Sequence, residues 1–339
     1  MQTTERRARE IDLQGTHPTI MDYDDDGYDY RTFWSNRDYE QWAEGRILRR
    51  LFNQLGRAKW LVDLGGGFGR NAIHYHQRVD HAVIVDYSKG NLQRAATTLS
   101  AELERGRIFL VRADLYRLPF VDDAFDVGLL VRVLHHLTAV NTALMEMGRV
   151  VGKQWILDIP IKHHLLARLR GLMQGDIRQL STWEPKSLGA AELPFSSYHL
   201  GAIRQALTRQ RWETRLVASA NNFRRWDQIL PSPAIPCLRP LVYGLEALVQ
   251  KAGRGWWGPS QFVWATRCEP TSSSGINAIA QPPDIEKKPW AALATKMCCP
   301  VCLGLLQWSH NRAICLQCSR TYLRTGAIWD FVPDEIAQV

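Results

Sequence analysis

An apolar run that closes on an acid and passes at once into alternate glycines, Leu61-Val62-Asp63-Leu64-Gly65-Gly66-Gly67-Phe68-Gly69, constrains this chain more than any other segment. Glycine at 65, 67 and 69 lets the backbone turn tightly and lets a ligand approach without meeting a Cβ. The residues that follow read as the start of a helix, whose unpaired N–H groups would face the same place. A strand, a close turn and a nucleotide-like ligand are the expectation, and with them an α/β domain.

The spacing narrows the ligand. A dinucleotide turn of the form G-x-G-x-x-G requires glycine where Arg70 stands, which weakens an NAD-dependent dehydrogenase reading. The pattern present is Asp63-x-Gly65-x-Gly67-x-Gly69. A second apolar run, His81 to Val85, closes on Asp86, and a third segment reads Val111-Arg112-Ala113-Asp114-Leu115. Then come Leu118-Pro119-Phe120-Val121-Asp122-Asp123-Ala124-Phe125-Asp126-Val127 and Leu130-Val131-Arg132-Val133-Leu134-His135-His136-Leu137. In this order and spacing the string resembles the class I S-adenosylmethionine (SAM)-dependent methyltransferases. The likeness is to the branch with ubiquinone/menaquinone-biosynthesis enzymes and some wobble-uridine tRNA methyltransferases.

That resemblance implies a Rossmann-like seven-stranded methyltransferase sheet with helices on both faces. It implies that Gly65, Gly67 and Gly69 line the cofactor, with Asp63 holding the turn and helping to bind the cofactor's amino group. Asp86 would take the ribose hydroxyls, Asp114 the adenine amino group and the backbone of Leu115 an adenine ring nitrogen. Each acid ends an expected strand, where ligands of open α/β sheets bind.

Apolar positions Trp42, Ile47, Leu48, Leu51, Phe52 and Leu55 recur at helical spacing. Strands are expected at 60–64, 82–86, 108–112, 126–131 and 154–159, with helices near 70–78, 90–104 and 139–150, so that βαβ units build a parallel sheet. A helix at 200–209 and strands near 213–219 and 261–267 complete a methyltransferase domain over 36–268. Segments 160–199 and 220–258 exceed the minimal fold and are expected to shape the acceptor site. The second carries an apolar helix edged by basic and indole groups.

Residues 1–35 read as an irregular N-terminal segment. Its Asp22 to Phe33 stretch imitates a calcium loop, but Phe33 occupies the position that requires Glu. Calcium is rejected, and Tyr28, Tyr30 and Trp34 become lid candidates over the cofactor. No run of 18 apolar residues exists, and the first residues lack the apolar core of a signal peptide, so no integral membrane segment and a cytoplasmic location are expected.

Residues 269–289, rich in Ser and Pro, read as a linker. Beyond it, Cys299-x2-Cys302 and Cys315-x2-Cys318 are separated by twelve residues. Two such knuckles complete a tetrahedral thiolate shell, so 290–339 reads as a structural four-cysteine zinc (Zn2+) ribbon, with Cys298 a less symmetric substitute for Cys299. The tail also resembles the small zinc-ribbon activator subunits of certain tRNA and protein methyltransferases.

The acceptor is expected to be a small, possibly apolar molecule. RNA is the alternative, suggested by the net charge of +8 and by the ribbon. A non-catalytic protein that kept the fold is a third reading, opposed by the complete set Asp63, Asp86 and Asp114. His135 and His136 are the candidate catalytic bases, because the acceptor would approach after the fourth strand.

Overall fold

The computed structural model describes residues 24, 30–35, 37–175, 177–187, 195–229, 235–268 and 288–332. In chain order the described elements begin with α1 (Tyr30–Trp34), α2 (Asp38–Leu55), β1 (Ala58–Leu64), α3 (Ala72–Tyr75), β2 (Val79–Asp86), α4 (Lys89–Thr98), α5 (Ser100–Glu104), β3 (Ile108–Arg112) and β4 (Phe125–Leu130). A 3₁₀ turn at Leu134–His136 leads to α6 (Val140–Val150) and β5 (Val151–Pro160), followed by α7 (Leu165–Gln174), α8 (Ile177–Ser181), β6 (Lys186–Ser187) and β7 (Ser196–Ser197). Then come α9 (Leu200–Arg209), β8 (Trp212–Ala220), α10 (Trp226–Ile229), α11 (Ile235–Ala252) and β9 (Ser260–Arg267). The C-terminal elements are α12 (Ala291–Ala294), β10 (Leu306–Trp308), β11 (Arg312–Cys315), β12 (Thr321–Thr325) and β13 (Ile328–Asp330).

Seven strands form a sheet in the order β3-β2-β1-β4-β5-β9-β8, in which β9 alone runs antiparallel to the other six. This is the Rossmann-like methyltransferase arrangement. Its central strands are near-continuous apolar runs because both faces are covered. Alternate residues serve the two faces: Val62 and Leu64 pack with α6 and α9, whereas Leu61, Ile84 and Leu129 pack with α2 and α4. α2 turns Ile47, Leu48, Leu51 and Phe52 to that second face, in the 3–4 spacing of an amphipathic helix.

The ribbon strands do not stand apart. β13 pairs in parallel with β3, with Trp329 beside Val111 and Asp330 beside Arg112, so that the four ribbon strands extend the sheet to eleven. Arg112 also donates to Asp330 across 3.2 Å, and the Phe331 N–H donates to the Arg112 carbonyl. Trp290, Trp308, Trp329 and Phe331 belong to the same buried cluster as Tyr116, Leu118 and Phe120.

Three local expectations change. The segment 1–35 is not wholly irregular, since α1 occupies Tyr30–Trp34. The helix expected over 70–78 shrinks to Ala72–Tyr75 because β2 starts earlier, at Val79, which pairs with Ala58 and draws the chain into the sheet. The helix expected over 90–104 breaks at Leu99, just after Thr97 and Thr98, whose hydroxyls donate to carbonyls four residues back; such back-bonding bends helices.

Candidate cofactor site and metal centre

The strand order reverses between β1 and β4, and ligands of open α/β sheets bind at that crevice. The glycine turn lies there. Gly65, Gly67 and Gly69 all have φ between +57° and +80°, a left-handed conformation that other residues adopt only with strain. At Gly65 space is also decisive, since a Cβ would sit 2.4 Å from a Val133 methyl. The turn and the loop after β4 are therefore packed against each other.

Asp86 stands at the end of β2, and its Oδ2 accepts the Gly67 N–H at 2.8 Å while Oδ1 accepts the Ser88 N–H at 3.0 Å. The carboxylate thus ties the glycine turn to the start of α4. Burial pushes its pKa up to about 6, against the pull of those two N–H groups. Asp63 is buried beneath the turn and accepts the Tyr75 hydroxyl at 3.0 Å; burial pushes it up to about 7. Asp114, after β3, accepts the Tyr116 N–H at 2.8 Å, and the half-buried Leu115 beside it packs on the core. Each expected cofactor acid is therefore at the carboxyl end of its strand, on one side of the sheet.

His135 and His136 fall in the 3₁₀ turn after β4, rings 3.9 Å apart, with Phe195 4.5 Å from His135. Burial, then the charges of His136, Arg132 and Arg224, hold the His135 imidazole well below its ordinary pKa. It is neutral at pH 7. Of the lid candidates, Trp34 is buried, with the Arg70 guanidinium 3.6 Å from its ring centroid, so α1 closes on the residue just after the glycine turn. Tyr28 and the side chain of Tyr30 lie outside the described residues.

Several contributors escape a reading of sequence. Asp24 accepts from Ser88 Oγ and from the Lys89 and Gly90 N–H groups, which makes it a side-chain cap for α4 beside Asp86. Glu44 of α2 is fully buried and meets Arg70 at 2.9 Å, Arg132 at 3.3 Å and the Asn221 amide at 3.1 Å. Burial pushes its carboxyl up, but the two guanidiniums and the amide outweigh that and hold it low. For Glu44 the helical alignment with Ile47, Leu48 and Leu51 is visible in the sequence, but its charge argues for solvent and its burial is not. For Asp24 there was no signal.

In the ribbon the Sγ atoms of Cys299, Cys302, Cys315 and Cys318 lie within 4.8 Å of one another, with Cys299 and Cys318 at 3.6 Å and Cys302 and Cys315 at 3.4 Å. A tetrahedral zinc with Zn–S bonds of about 2.3 Å separates its sulfurs by about 3.8 Å, so the residues fit that ion. Gly304 makes room, since a Cβ there would lie 3.1 Å from two of the sulfurs. Cys298 points elsewhere: it is buried near Arg149, and its N–H donates to the Pro119 carbonyl.

The chain is similar to several known proteins over part of its length. A provisionally named methyltransferase of Encephalitozoon cuniculi is 36% identical over 110 residues, 32% of this chain and 47% of that protein. The uncharacterized methyltransferase YcgJ of Bacillus subtilis is 29% identical over 163 residues, 44% of this chain and 63% of its own length. O-methyltransferase rstn1 of Aspergillus nomiae is 24% identical over 131 residues, 37% and 58% of the two chains. The chain thus spans about half to under two-thirds of these relatives. Among solved structures, Bacillus subtilis YcgJ aligns over 66% of this chain and 99% of its own at 14% identity and TM-score 0.44. Magnesium protoporphyrin IX methyltransferase of Synechocystis aligns over 78% and 94% at 14% identity and TM-score 0.43. Residues 62–154, which run from β1 into β5 and carry the glycine turn, Asp86, Asp114 and the histidine pair, match the model of the methyltransferase domain family.

Proposed function

We propose that this chain is a SAM-dependent methyltransferase that modifies a small-molecule acceptor. The observation that carries the reading is the Asp86 carboxylate, locked by the Gly67 and Ser88 N–H groups beside a left-handed glycine turn at the point where the strand order reverses. SAM supplies a sulfonium-bound methyl group that a nucleophile displaces in line. The chain's part is to bind, orient and exclude water.

In this reading Gly65, Gly67 and Gly69 admit the cofactor backbone-close, Asp63 braces the turn, Asp86 accepts the ribose hydroxyls, and Asp114 with Leu115 receives the adenine. Tyr28 belongs to the covering N-terminal segment. His135 and His136 line the acceptor side. Because His135 is held neutral with a depressed pKa, it is a weak base suited to orienting an acceptor or taking a proton already made acidic by methyl transfer. The four cysteines hold a structural Zn2+.

The test is incubation of the purified protein with isotopically methyl-labelled SAM and a size-fractionated cell extract. The label is expected in a small molecule. Label in RNA, from binding that weakens steeply with salt, would replace the acceptor assignment. Failure to bind SAM or its demethylated product by calorimetry would remove the activity altogether.

A further inference from the structure

Two helices that follow the carboxyl ends of β5 and β8 are built inside out. In α7 the small residues Ala167 and Gly171 turn inward, while Leu166, Leu169, Leu172 and Met173 face outward with 49% to 87% of their surface exposed. α11 repeats the inversion. Its inward residues include Glu246 and Gln250, both fully buried; Glu246 accepts from the Tyr39 hydroxyl and the Asn222 amide, and Gln250 donates to the Ala43 carbonyl. Its outward stripe is Leu241, Leu245 and Leu248, spaced by four and three residues and 40% to 70% exposed. A helix of a water-facing surface normally shows the opposite arrangement. The head of α7 meets the turn that follows α11: the Leu165 N–H donates to the carbonyl of Trp256, four residues past the end of α11, and the Trp256 indole is itself exposed.

We propose that the outward faces of α7 and α11, joined at Trp256, dock this protein on an anionic lipid bilayer. Charge selects that occupant. Every charged residue exposed on the two helices is basic, namely Arg168, Arg170, Arg239 and Lys251, and the acid of α11, Glu246, is buried. Leucines flanked by basic residues and an indole suit the boundary between headgroups and acyl chains, where the long side chains reach the phosphates. A second copy of the chain would bring like charges together. No described helix is long and apolar enough to cross a membrane, so the protein lies on the surface. α7 leaves the carboxyl end of β5 and α11 follows β8 at the same end, so docking turns the acceptor side toward the lipid. That orientation of the acceptor side rests on the methyl-transfer reading, whereas the docking itself does not.

Sedimentation of the full chain with phosphatidylcholine vesicles, with and without phosphatidylglycerol, tests it. The protein is expected to pellet with the phosphatidylglycerol vesicles and to be released by salt. The variant Leu166→Ser/Leu169→Ser/Leu172→Ser should bind them at least about tenfold more weakly. A second variant, Arg170→Gln/Lys251→Gln, alters only exposed charge; it should lose affinity for phosphatidylglycerol vesicles while keeping the wild-type melting temperature. Three outcomes would overturn the inference: no pelleting of the wild type, equal binding by the variants, or a wild-type dimer that ignores vesicles and dissociates in the leucine variant.

Discussion

Replacing Trp329 with alanine tests whether ribbon and sheet form one cooperative body. The Trp329 ring is 1% exposed and contacts Trp290 and Trp308 with centroids 5.0 and 4.9 Å away, while its backbone lies in the strand paired with β3. Emptying such a site costs about 3–5 kcal/mol. For a chain of this size about 1.4 °C of melting temperature is lost per kcal/mol, which predicts a fall of roughly 4–7 °C. Because the cluster around Trp329 includes Tyr116, Leu118 and Phe120, the shift should appear in the unfolding of the whole sheet. Differential scanning calorimetry should show one transition in both proteins. The exposed ribbon residue Leu316 provides the control, and Leu316→Ala should change stability by no more than about 0.5 kcal/mol. Two separable transitions, with only the smaller one moved by Trp329→Ala, would refute the argument.

Asp86→Ala should weaken binding of SAM by about 1.5–3 kcal/mol, roughly ten- to hundredfold, as read by calorimetry; unchanged affinity would take Asp86 out of the site. Cys302→Ser should abolish the one equivalent of zinc that elemental analysis is expected to find in the wild type, and full retention of zinc would defeat the thiolate assignment. The pH response has two opposite signs. Burial raises the folded pKa of Asp86 to about 6 from an ordinary 3.8, so the unliganded fold loses Asp86's stabilising contribution as pH rises through that interval. Affinity for the demethylated cofactor should meanwhile climb through pH of about 6, because the ionised carboxylate is the better hydroxyl acceptor. Comparison with Asp86→Asn, which should flatten both trends, checks this, and identical pH profiles in the two proteins would contradict it.

β1 and β2 were legible because each is an apolar run that stops at an acid or a glycine turn, a pattern that survives without knowledge of neighbours. The cysteine quartet was legible because its spacing is a local geometric requirement. The pairing of Trp329 with Val111 was not, since nothing in residues 328–330 distinguishes a partner 218 residues upstream from the hairpin strand beside it. Nor was the burial of Glu44, whose charge suggests solvent and whose partners come from three distant loops. The inverted face of α11 was visible as apolar helix and basic edges. Its direction was not, because only the buried contacts of Glu246 and Gln250 show which side faces in.

The parallel pairing of β13 with β3 also fixes an order of events during synthesis. Residues 108–112 leave the ribosome long before residues 328–330, and at about 5–20 residues per second the 218 intervening positions take roughly 10–45 s. Through that interval β3 is an unpaired edge of a nascent sheet, with N–H and C=O groups open to any other chain. The ribbon strands close that edge and carry its position out to β10, a strand of three residues. Interrupted translation or a truncated gene product would therefore leave a sticky intermediate, and the chaperone load of this protein should concentrate on chains that have not yet reached residue 330.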